Sequence, residues 1–182
     1  MTTLSAAAAG VPSPLAQASR LRQRIASARS PLPGLLLGAV AWGLLMAAAA
    51  LLGLYLRFRL QTAHLQELML LYFAGGLLAW LVAVPVGRFF AFRRSPETRF
   101  AAFFLTLTCA TILATAFLFA MQYRLFYSQW HQPFGTRIWV LQFLFTSASA
   151  TYQFLVLGIR LYLPLGLVFL IGASVFLARR MR

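Results

Sequence analysis

The chain has 182 residues, 62% of them hydrophobic and 10% charged, with 16 basic against 2 acidic side chains, a net charge of +14 and a mean hydropathy of +0.81. Soluble domains carry about a quarter charged residues, so this composition belongs to integral membrane proteins. Every basic residue is Arg and the only acids are Glu67 and Glu97, which excludes paired-carboxylate hydrolysis and an Asp cluster for Mg²⁺ or Ca²⁺. A chain this apolar also lacks the soluble basic face that nucleic acid binding requires.

Residues 1–33 mix Ala, Ser and Pro with the late arginines Arg20, Arg22, Arg24 and Arg29. A secretory signal has its basic residues first and an apolar core after them, so this segment reads as a disordered basic tail ahead of a transmembrane domain over residues 34–182. Basicity carried by Arg alone, with heavy use of Ala and Leu, suits a bacterial inner-membrane protein. The Arg- and Ser-rich, acid-free tail also meets the description of a mitochondrial transit peptide, which makes the mitochondrial inner membrane the alternative.

A bilayer core takes about 20 apolar residues per helix. The first span is expected at 35–56, between Pro31, Pro33 and the arginines Arg57 and Arg59. The second lies at 68–86, with Glu67 before it and Arg88 after. The third, at 100–121, has a helix-entry signature: Ser95 as cap, Pro96 at the first helical position and Glu97 against the positive helix end. The stretch Ile138–Ala178 holds one charge, Arg160. As a straight helix it would run about 60 Å, roughly twice the hydrocarbon thickness.

Charge distribution arbitrates between the ways of dividing that stretch. Four spans with both termini cytoplasmic put Arg20, Arg22, Arg24, Arg29, Arg88, Arg93, Arg94, Arg99, Arg179, Arg180 and Arg182 inside, leaving Arg57, Arg59, Arg124, Arg137 and Arg160 outside. Five spans nearly equalise the two sides. The last span is therefore expected at 159–178. Ile138–Gly158, with its polar patch Thr146–Thr151, is left as either a re-entrant hairpin or a helix along the outer face. The fold class is an all-α integral membrane protein: a four-helix transmembrane bundle with an additional interfacial or re-entrant segment before the last span.

Small residues spaced by four let membrane helices approach closely. Gly38 and Gly43 contribute to such rows in the first span, and Gly75, Ala79, Ala83 and Gly87 form an unbroken row in the second. Thr108, Thr111 and Thr115 share a face of the third, where their hydroxyls bond preceding carbonyls or reach a neighbour. Trp42 and Trp80 are expected at one depth, as a packing pair. Cys109, the only cysteine, reads as a buried inert thiol. Tyr55, Tyr72, Tyr123, Tyr127, Trp130 and Trp139 are expected in the outer aromatic belt. On the inner side the loop around Arg88, Arg93 and Arg94 interleaves basic and aromatic residues, a pattern for contact with anionic lipid.

His64, Glu67 and His131 form a conceivable metal set, yet all sit in or beside loops, and ordinary polar contacts are expected of them; no metal or other cofactor is expected. No Asp exists to orient a histidine beside a nucleophile, and no span holds an acid or His for proton transport. What remains is the polar group Gln153, Arg160 and Tyr162. Gln153 and Arg160 share a helix face, and an Arg this close to hydrocarbon needs lipid phosphate, a carbonyl, Glu67 or a partner's acid, unless it snorkels to the headgroups. The leading functional expectation is a non-catalytic accessory or scaffold component of a membrane complex, joined to a membrane protein partner or to copies of itself. The alternative is a small transporter or lipid-handling protein working through Gln153 and Arg160. More distant is an enzyme subunit that borrows catalytic groups from a partner.

Overall fold

The computed structural model describes residues 14–181, and all regular structure among them is helical. The elements are α1 (Pro14–Ala28), α2 (Leu32–Tyr55), α3 (Leu65–Ala91), α4 (Pro96–Tyr127), α5 (Arg137–Gln153) and α6 (Leu165–Arg180). A π turn, Phe154–Gly158, and a 3-10 turn, Ile159–Tyr162, continue the helical path beyond α5. Four segments are long and apolar enough to cross a membrane: Leu32–Tyr55, Leu65–Ala91, Pro96–Trp130 and Arg137–Tyr162.

The helices run antiparallel in sequence from α2 to α4. One end of the bundle, here the lower end, gathers the start of α2, the end of α3, the start of α4 and the end of α6. Arg88 on α3 donates there to the Ser27 carbonyl and the Ser30 hydroxyl before α2, and Arg99 on α4 donates to the Met181 carbonyl after α6. The upper end holds the end of α2, the start of α3 and the end of α4, with Gln122 of α4 donating to Glu67 of α3.

Close backbone approach is built into α3. Gly75, Ala79, Ala83 and Gly87 are all buried. A Cβ on Gly75 would collide with the Thr115 hydroxyl of α4, and one on Gly87 would stand 2.6 Å from the Phe103 ring. On the other side of α3, Gly38 lies under the Trp80 indole, and Gly43 against the Phe73 carbonyl. The small-residue rows are thus consumed by packing within the chain. Trp42 and Trp80 do share a level, their ring centroids 5.9 Å apart, and the Trp42 indole donates to Thr111 at 3.1 Å. Thr108 takes the other course open to a membrane threonine and donates to the Phe104 carbonyl.

Several expectations are corrected. The tail read as disordered over 1–33 is helical from Pro14 to Ala28; residues 1–13 lie outside the described residues. Its composition is overridden by docking, because Arg88 holds the chain at Ser27 and Ser30 while the Arg24 guanidinium lies 5.9 Å over Phe89. The span expected at 159–178 is divided: Leu163 turns to extended backbone, Pro164 cannot donate to a helix, and α6 begins only at Leu165. Cys109 is exposed on the outward face of α4, not buried. Tyr72 is 1% exposed and belongs to the core, not to the aromatic belt.

Phe143 of α5 packs under the Arg124 guanidinium of α4, and Phe154, just beyond α5, reaches Phe119 of α4. From there the chain descends beside α2, where Gly53 admits the Leu161 backbone, and turns into α6 near Ala49.

Candidate functional site

The last turn of α2 closes with the Arg59 amide donating to the Leu54 carbonyl and the Phe58 amide to that of Tyr55. This is a Schellman ending, in which the residue turned to the left-handed region is normally Gly. Here it is Phe58, at φ 54° and 97% exposed. A non-glycine residue there costs about 1 kcal/mol, and the reversal returns the chain so that Arg57 and Arg59 flank one cavity. Arg57 also donates to the Gly53 carbonyl at 2.9 Å, placing positive charge on the negative end of α2.

The opposite wall comes from the end of α5 and the turns after it. Gln153 and Arg160 line it, with Phe154, Leu157 and Leu161 between them. Leu68 and Tyr72 of α3 and Phe119 of α4 complete an apolar lining around a cavity of about 580 Å³. Tyr72 closes the bottom. Its hydroxyl donates to the Gly158 carbonyl at 2.7 Å, pinning the π turn to α3. Below it Tyr162 meets Tyr72 edge to face, with centroids 5.0 Å apart, and shares a 2.7 Å hydrogen bond with Thr115. π turns occur often at functional sites, since they shift side chains out of regular register.

Arg57, Arg59, Arg160 and Gln153 line the cavity together with its apolar residues, and neither Glu67 nor Glu97 lines it. Glu67 is engaged next door, accepting from Gln122 at 3.1 Å and standing 3.2 Å from His64 Nδ1. Cationic donors beside low-dielectric walls interact more strongly with an anion than the same groups in water.

Of the residues singled out from the sequence, Gln153 and Arg160 meet in this cavity. Tyr162 does not; it is core, 8% exposed and bonded to Thr115. Glu67 is not the partner of Arg160. Arg88 is turned to Ser27 and Ser30, Arg93 stacks on Phe92 at 5.3 Å and Arg94 is exposed. Among the described residues no three His, Cys, Asp or Glu side chains converge. Sequence reasoning missed Arg57 and Arg59 as site residues and counted them only as outer-side charge. The available signal was their position: two arginines directly after an apolar span, at the end expected to be the outer one, where membrane proteins deplete them.

Comparison of the chain with family models, curated proteins and solved structures finds no match.

Proposed function

We propose that this chain is a lipid-handling protein of the bacterial inner membrane, which binds the headgroup of an anionic amphiphile at its upper end. The observation that carries this reading is the convergence of Arg57, Arg59 and Arg160 on one apolar-walled cavity with no acid in its lining. Three unneutralised guanidinium groups beside hydrocarbon are costly alone and favourable around a phosphate or carboxylate. The apolar walls suit the first methylenes of an acyl chain. In this reading the lower end faces the cytoplasm, α5 rests at the outer interface, and the turns after α5 complete the fourth crossing with α6.

Native mass spectrometry tests it. Protein taken from equimolar phosphatidylglycerol and phosphatidylcholine retains the anionic lipid preferentially, and Arg57→Gln/Arg59→Gln/Arg160→Gln releases one bound molecule. Equal retention by the variant contradicts the reading.

A second reading, the accessory or scaffold component, is supported by α5 alone. Ala150 is its sole buried residue, and Leu141, Leu144, Phe145 and Tyr152 are exposed on it. A stoichiometric protein partner retained in mild detergent, and lost with Phe145→Ser, supports that reading over the first.

A further inference from the structure

The lower half of the bundle carries a second cavity, of about 750 Å³, opening between α2, α3 and α6. Two features of it are unexplained by packing. Gly172, in the middle of α6, faces open space: a Cβ there has no neighbour within 4 Å. Glycine inside a helix costs about 1 kcal/mol relative to Ala, and every other glycine lining this cavity touches the chain. Finally, the cavity ends at Arg88 and Arg180, with no glutamate in its lining.

We infer that this cavity is a site for a diacyl phospholipid of the surrounding bilayer with an anionic headgroup. Charge sets the headgroup at Arg180, whose guanidinium stacks on Phe176 at 5.3 Å. The acyl chains then lie against Gly172, where a side chain would exclude them. A small soluble anion satisfies Arg180 but leaves the open space over Gly172 unexplained.

The assignment uses different residues from the upper cavity, so the test is made in the Arg57→Gln/Arg59→Gln/Arg160→Gln background, with the full chain in detergent. Phosphatidylglycerol and phosphatidylcholine of matched chains are titrated by native mass spectrometry, with glycerol phosphate as a tail-less competitor. The background protein binds phosphatidylglycerol in preference. Arg180→Gln lowers that preference about fivefold. Gly172→Leu abolishes binding of both lipids, while the helical circular dichroism and thermal midpoint stay at background values. Where Gly172→Leu fails to fold, Arg180→Gln decides alone. Unchanged preference in Arg180→Gln, unchanged binding in a folded Gly172→Leu, or displacement of lipid by glycerol phosphate each overturns the inference.

Discussion

Gly75→Ala and Gly172→Ala make the same chemical change in two helices, and the structure gives them opposite signs. At Gly75 the added methyl collides with the Thr115 hydroxyl and stands 2.9 Å from its Cβ and 3.0 Å from its Cα. Two backbones must then separate, because Thr115 sits on a rigid helix and its hydroxyl is already committed to Tyr162. Overpacking of this kind costs about 1–3 kcal/mol, and loosening an interhelical hydrogen bond in a membrane protein about 0.6 kcal/mol more. The gain in helix propensity, about 1 kcal/mol, offsets part of this, for a net loss of about 0.6–2.6 kcal/mol. At Gly172 the methyl meets nothing, so only the propensity gain remains, up to about 1 kcal/mol. Reversible unfolding in mixed micelles, followed by circular dichroism, measures both. A Gly75→Ala protein as stable as wild type, or less affected than Gly172→Ala, would refute the assignment of α3's small-residue row to contact with α4.

Two further outcomes follow from single side chains. Tyr72→Phe removes the donor to the Gly158 carbonyl and leaves that group unpaired at the base of the upper cavity; a loss of about 1–2 kcal/mol is expected in the same unfolding assay, together with weaker retention of anionic lipid. Arg88→Gln releases Ser27 and Ser30 from α3, so brief trypsin treatment cleaves after Arg29 several times faster than in wild type while α2 to α6 remain intact. Unchanged cleavage would show that α1 is held by other contacts.

Legibility in the sequence followed the length scale of the physics. Helices α2, α3 and α4 are plain in the sequence because each is one uninterrupted apolar run ending in charge, and the entry of α4 is marked by a cap: Ser95 accepts from the Thr98 amide, with Pro96 next. The pairing of Trp42 with Trp80 was also legible, since equal distances from the span ends put both at one depth. The division of 138–178 was not. Hydropathy is blind to the angle at which an apolar helix lies, and the break at Leu163 and Pro164 is set by two residues in an otherwise apolar run. Gln153 and Arg160 were found because seven residues return to one helix face. Arg57 and Arg59 were not, because their place in the site depends on a left-handed Phe58, a position where sequence preference points to Gly. Tyr72 misled for a related reason: tyrosine near a span end suits an interface, but here its hydroxyl is needed inside, by the π turn.

The central claim is that an anionic amphiphile seats among Arg57, Arg59 and Arg160, and site-resolved crosslinking tests it most directly. Phosphatidylglycerol carrying a diazirine on its first acyl methylenes is incorporated with the purified chain, irradiated, and the labelled peptides are mapped. The account predicts strong labelling of Leu68 and of the segment from Gln153 to Leu161, reduced about tenfold or more by Arg57→Gln/Arg59→Gln/Arg160→Gln, while labels elsewhere, those in the lower cavity included, persist. Labels spread evenly over the lipid-facing helices, or unchanged in the triple variant, would contradict it.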